Sequence, residues 1–116
     1  MKKVMLIILS LLLFTCENPN AVEDENTSWV FVANEGNFGS SNGTISMVDD
    51  FGNVFETDAI GDVVQSLEVY ENKLIVLVNN SHMIKIYDIT KDGLSMPGIE
   101  ISTDGSSPRD LVVTND

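Results

Sequence analysis

The chain has 116 residues, with 18 acidic against 6 basic side chains and a formal charge of −12. So large an acidic excess repels phosphate backbones and excludes nucleic acid as a partner, and a hydrophobic content of 43% excludes a disordered chain. The single cysteine, Cys16, excludes an intrachain disulfide and a cysteine-based metal cluster.

Met1-Lys2-Lys3 is a short basic segment, and Val4 to Phe14 is an apolar run broken only by Ser10. The run is too short to span a bilayer and fits the hydrophobic part of a secretory signal. It ends at Leu13-Phe14-Thr15-Cys16, which resembles a bacterial lipobox, departing from it at Thr15, where a smaller residue is usual. Residues 1–15 are therefore expected to be a lipoprotein signal peptide, with Cys16 carrying the lipid and becoming the mature N-terminus. Acyl chains hold a protein to a membrane at about 0.8 kcal/mol per buried methylene. Removing Lys2 and Lys3 leaves six minus two basic residues against eighteen acidic ones, a mature charge of −14. Residues 16–28 are polar, contain Pro19 and lack periodicity, so they read as a flexible tether. Glu23-Asp24-Glu25 resembles the acidic surface-export signal of lipoproteins of the Bacteroidota, which implies the outer membrane and its outer face. A plain charged linker is the alternative.

From Trp29 onward, apolar runs rich in Val and Ile alternate with Gly, Asn and Asp clusters. This is a strand-and-turn pattern. Strands are expected at 28–33, 43–49, 53–57, 63–70, 73–79, 82–89, 96–102 and 110–113, with turns at Asp49 to Asn53, Tyr70 to Lys73 and Thr90 to Gly93. The segments repeat. Val64 to Val69 aligns with Pro108 to Val113 at an offset of 44, Trp29 to Asn34 with Leu74 to Asn79 at 45, and Thr44 to Asp49 with Met83 to Asp88 at 39. A period in the low forties with four strands per period is the pattern of a β-propeller. A β-sandwich also spaces its strands evenly, but without repeating its sequence.

The expected fold is therefore all-β, with residues 29–116 forming the N-terminal part of a propeller: about two blades and the first strand of a third. The first blade starts at its second strand, because the tether before Trp29 offers no apolar run. The second holds four strands, 63–70, 73–79, 82–89 and 96–102. The third begins at Asp110. On this reading the chain is a fragment of the ring.

The stretch Asn34-Glu35-Gly36-Asn37-Phe38-Gly39-Ser40-Ser41-Asn42-Gly43-Thr44-Ile45-Ser46 resembles the surface-layer or YncE-like propeller lipoproteins of the Bacteroidota. Gly61 to Ser66, Val78 to Ser81 and Ser107 to Asp110 are similar to the same family, and the resemblance covers residues 29–116. It implies a seven-bladed propeller at the cell surface. One branch of that family captures cobalamin and passes it to an outer-membrane transporter.

Several local patterns invite a chemical reading. Gly39-Ser40-Ser41-Asn42-Gly43 matches G-x-S-x-G, but a nucleophile elbow needs a helix after it, and Thr44 to Val48 reads as a strand. His82 is the only histidine, and a metal would need carboxylates converging on it. Asp49, Asp50 and Asn53 do not follow the EF-hand spacing. No cofactor, metal or enzymatic activity is expected.

Alternating strand direction places the loops 34–43, 59–62, 79–81 and 103–109 on one face. Amide side chains there offer donors and acceptors suited to a polar, amide-bearing or sugar-like ligand, and Phe38 can stack. Asn34, Asn37, Phe38, Asn79, Asn80 and Arg109 are the candidate ligand residues. Their Asn and Gly content also suits turn geometry alone. The expected function is a membrane-anchored binding protein for nutrient capture, such as of a corrinoid, with a transporter as partner. The alternative is a structural or protein-interaction propeller without a small ligand, and a propeller enzyme of the lactonase kind comes third.

Overall fold

The structure, a computed structural model, describes residues 28–114; the expected signal peptide at 1–15, the expected lipid-bearing Cys16 and residues 16–27 of the expected tether lie outside the described residues. Every regular element among them is a strand: β1 Val30–Asn34, β2 Thr44–Val48, β3 Val54–Glu56, β4 Val64–Tyr70, β5 Lys73–Val78, β6 Met83–Thr90, β7 Gly93–Leu94 and β8 Ile99–Ser102. The fold is all-β and antiparallel, in one sheet of three strands, β1-β2-β3, and one of five, β4-β5-β6-β7 with β8 also on β6.

The turns follow from side-chain chemistry. The Asp49 carboxylate accepts from the backbone N–H of Phe51 (2.9 Å) and Asn53 (2.8 Å), closing the β2–β3 hairpin. The Asn53 side-chain amide also donates to it (2.8 Å), and this bond chiefly holds the carboxyl below its ordinary value of 3.8. In the β6–β7 turn the Thr90 hydroxyl donates to Gly93 O (2.9 Å) and accepts from Asp92 N (3.2 Å).

Two expectations are corrected here. The strand expected at 96–102 starts only at Ile99, and Gly93–Leu94 forms a separate two-residue piece of the same outer strand. Pro97 has no N–H to give to a ladder. Gly98 sits at φ +76 with its Cα against Tyr87; a Cβ there would stand 2.5 Å from Tyr87 Cδ1. The chain therefore bulges between β7 and β8. The strand expected at 110–113 belongs to neither sheet. Extended backbone becomes a strand when another strand takes its N–H and C=O groups, and among the described residues no strand pairs with this segment.

The two sheets pack face to face. Ile45, with Phe31, Ala33 and Met47, meets Val64, Leu74, Val76, Val78, Tyr87 and Leu94 in one core. Trp29 binds the sheets at their rim: its indole N–H donates to Thr90 O (2.9 Å), and its ring meets Phe55 edge-on at 5.9 Å.

The pairing register constrains how the two sheets can be aligned with each other. Ala33↔Ile45 and Met47↔Phe55 in the first sheet become Leu77↔Ile84 and Ile86↔Ile99 in the second. That is an offset of 44 for β1 onto β5, 39 for β2 onto β6 and 44 for β3 onto β8. The expected offsets of 45 for β1 and 39 for β2 differ by one residue from any pair that this register allows, and a slip of one exchanges the two faces of a strand. Aligned at offsets of 44, 39 and 44, the row Phe31-Met47-Phe55, which the first sheet turns toward the second, matches Ile75-Ile86-Ile99, which the second sheet turns outward.

Tyr87 is fully buried, and its hydroxyl has no hydrogen-bond partner among the described residues. Burial, then the charge of Glu100, pushes its pKa from 10.0 up to about 12. The unfolded chain thus releases this proton first, and the contribution to stability present below pH 10 is lost as pH rises from 10 toward 12. Tyr87→Phe removes the unpartnered hydroxyl. It is expected to stabilise the fold by about 1 kcal/mol, and the variant should lose less stability than the parent between pH 10 and 12 in chemical denaturation.

Candidate functional site

Strand direction sorts the connections to two ends. The tight turns β2–β3, β4–β5 and β6–β7 lie at one end. The loops β1–β2 (35–43), β3–β4 (57–63), β5–β6 (79–82) and the segment after β8 (103–109) lie at the other. The expectation that these loops share a face holds in the geometry, and a single buried carboxylate ties three of them. Asp62 accepts from Gly39 N at 3.0 and 2.9 Å and from the Asn80 side-chain amide at 2.5 Å. Its own N–H donates to Ser81 Oγ (2.9 Å), and its carbonyl accepts from Asn80 N (3.1 Å). Asp62 is 5% exposed, so these bonds replace the water that its charge would otherwise hold. Backbone bonds extend the seam, with Gly43 N on Gly61 O and Ile60 N on Gly43 O, both at 2.9 Å.

The fourth loop is reached through β5–β6. The Asn79 amide donates to Pro108 O (2.9 Å), and the His82 Nδ1–H donates to Ser106 O (2.9 Å). One hydrogen-bonded path therefore runs from Phe38-Gly39 through Asp62 and Asn80-Asn79 to Pro108-Arg109.

The backbone under this seam is strained. Val63 sits at φ +62, a region that β-branched residues avoid and that costs of order 1–3 kcal/mol. Its buried side chain and the bond from Asn79 N to its carbonyl (2.8 Å) hold it there. Gly61, at φ +151, is packed so closely that a Cβ would stand 2.6 Å from Val78 Cγ1 and 2.9 Å from Ser81 Oγ.

The six candidate residues divide into two groups. The side-chain amides of Asn34, Asn79 and Asn80 are spent inside the protein, that of Asn34 on Thr44 Oγ1 (3.0 Å) and Ser46 Oγ (2.8 Å). Asn37, Phe38 and Arg109 are exposed. Phe38 is 79% exposed. Among the described residues, Lys73, Lys85 and Lys91 pair with Asp88, Glu100 and Asp92. Arg109 has no carboxylate partner among the described residues, which leaves a lone cation on the loop face of an acidic protein. Sequence reasoning missed Asp62. The only signal for it was its place in Gly61-Asp62-Val63-Val64, one of the stretches that carry the family resemblance.

The other sequence patterns resolve into structure. Ser40 and Ser41 lie in a loop that leads into β2, a strand, so the geometry of a nucleophile elbow is not built. Asp49 closes a hairpin at the opposite end. Among the described residues, no group of three or more His, Cys, Asp or Glu side chains could hold a metal ion. A notch of about 160 Å³ lies beside the β7–β8 bulge, between Ile86, Ile99 and the Ser95–Gly98 backbone. It opens on the outward face of the second sheet, not among the loops. No family model and no curated protein matches the chain.

Proposed function

We propose that this chain is the anchored part of a β-propeller binding protein, and that its loop face captures a polar, amide-bearing ligand of the corrinoid kind at the outer surface of the cell. Two consecutive blades account for the sheets. In a two-layer sandwich the inner faces are apolar and the outer faces polar. Here both outward faces carry apolar rows: Val30-Val48-Val54 on the first sheet, Ile75-Ile86-Ile99 and Leu77-Ile84-Ile101 on the second. Each sheet also presents equivalent rows in the same direction, as successive blades do. The lipobox at Cys16 supports a membrane anchor.

The observation that carries the binding reading is the combination on one face of a stacking ring, Phe38, a cation without a carboxylate partner among the described residues, Arg109, and an exposed amide, Asn37, on loops tied by Asp62 and by the bond from Asn79 to Pro108 O. Rigid loops lower the entropy cost of capture. An aromatic face and amide groups suit a large planar ligand rimmed with amides, and the guanidinium suits an anionic substituent on it.

The test uses cells that carry the full chain and labelled cyanocobalamin as probe. Retention of the probe is expected, with about a tenfold loss of affinity in Phe38→Ala, the effect of roughly 1.4 kcal/mol, and a smaller loss in Arg109→Ala. Phe51→Ala, at the turn end, should bind as the parent does. In Cys16→Ser the binding activity should leave the cells for the medium. Equal affinity in all variants would discard the loop face as the site.

A further inference from the structure

We propose that the tip of the β2–β3 hairpin, led by Phe51, docks on the lipid surface to which the chain is anchored, and so turns the loop face away from that surface. The inference rests on the Cys16 anchor of the proposed function and goes beyond it by giving the anchored protein an orientation.

Four observations meet at this tip. First, the expected tether joins the fold there. β1 begins at the turn end, and Ser28 N donates to the Asp50 carboxylate (2.9 Å), which pins the start of the described chain beside Phe51. Second, Phe51 is 89% exposed, more than any other large apolar side chain among the described residues. Third, the turn does not require a phenylalanine. The Asp49 carboxylate accepts from Phe51 N as the Thr90 hydroxyl accepts from Asp92 N in the β6–β7 turn, and a glycine of positive φ follows each, Gly52 at +81 and Gly93 at +106. One turn position thus carries an exposed aspartate in the second sheet and an exposed phenylalanine in the first, next to the tether. The β4–β5 turn at the same end carries Glu71, also exposed. Fourth, the carboxylates that flank the ring are engaged by nearby donors, Asp49 by Phe51 N, Asn53 N and the Asn53 amide, and Asp50 by Ser28 N.

Burying one phenylalanine shifts an equilibrium roughly ten- to hundredfold, which is too little to hold a free protein on a membrane. The tether changes the balance. Residues 16–27 number twelve, so a lipid on Cys16 keeps the tip within about 40 Å of the surface at full extension and about 20 Å as a flexible coil. Docking then becomes an intramolecular step at an effective concentration of millimolar order, and one ring is enough to bias it. Trp29, half-buried against Phe55, lies at the same rim, and aromatic rings favour the headgroup boundary. Asp49 and Asp50 keep the contact shallow, because a charge in hydrocarbon is unfavourable. The loops that carry Phe38 and Arg109 lie at the opposite end and open to the medium.

The test is lipid photo-crosslinking in cells that carry the full chain and whose membrane lipids bear labelled phosphate, which the acyl anchor on Cys16 lacks. Benzoylphenylalanine replaces Phe51 in one variant and Phe38 in another; both side chains are exposed, so neither replacement disturbs the core. Irradiation should label the Phe51 variant with about tenfold higher yield than the Phe38 variant, the lower end of the effect of one buried ring. Adding Cys16→Ser to the Phe51 variant should remove both the label and the attachment to cells. Cell-bound protein with equal label at the two positions, or more at position 38, would overturn the docking and leave the anchor standing. Release of both variants into the medium with Cys16 intact would overturn the anchor and the docking together.

Discussion

Replacing Asp62 with alanine is expected to lower stability by about 3–4 kcal/mol and to abolish capture by the loop face. The substitution leaves Gly39 N and the Asn80 amide, both aimed at the lost carboxylate, without an acceptor. A hydrogen bond to a charged group contributes about 1.5–3 kcal/mol, and a buried unsatisfied donor costs about 1–3 kcal/mol. Asp62→Asn should recover little of this. One half of its amide would be a donor facing the donors of Gly39 and Asn80. Urea denaturation measures the loss. Binding measured below the melting range, where the variant is still folded, separates loop disorder from unfolding. An Asp62→Ala protein that binds as the parent does would show that the loop seam is not what positions Phe38 and Arg109.

Gly61→Ala is the second large effect. The added methyl group would meet Val78 Cγ1 at 2.6 Å and Ser81 Oγ at 2.9 Å, from a backbone at φ +151 that side-chain-bearing residues rarely adopt. Val78 is fully buried in β5 and cannot retreat without moving the core; the strain falls on the β3–β4 and β5–β6 loops. A loss of about 3 kcal/mol is expected, in the range of severe backbone and overpacking substitutions. Gly105→Ala is the control. It also has positive φ, +79, but a Cβ there meets nothing within 4 Å, so it should cost only the roughly 1 kcal/mol of a strained single residue.

The strands were legible because each is short, rich in branched residues and bounded by turn residues whose side chains close the backbone locally, as Asp49 and Thr90 do. The outer strand of the second sheet was expected from residue 96; what delays it to Ile99 is the missing N–H of Pro97 and the ring of Tyr87 against Gly98. The segment at 110–113 has the composition of a strand, but strand formation is a property of pairs. The offsets for β1 and β2 came out inconsistent by one residue because Val and Leu occupy both faces of β5, so composition alone could not fix which residues face inward. On the loop face, asparagines were visible and their use was not. An amide committed to Pro108 O or to a carboxylate 18 residues away reads the same in sequence as one free for a ligand. Asp62 was hidden for the same reason: its donors come from loops 23 and 18 residues distant.

On the proposed two-blade reading, these sheets are repeating units that need neighbours on both sides. The most direct measurement is the solution behaviour of residues 17–116, produced without the lipid and followed by light scattering and thermal circular dichroism. With apolar rows on both outward faces and an open β1 edge, the predicted result is a β-rich product that is assembled or aggregated and shows no cooperative transition as a monomer. A sharp cooperative melt from a monomer would contradict the claim and make the two sheets a self-sufficient sandwich.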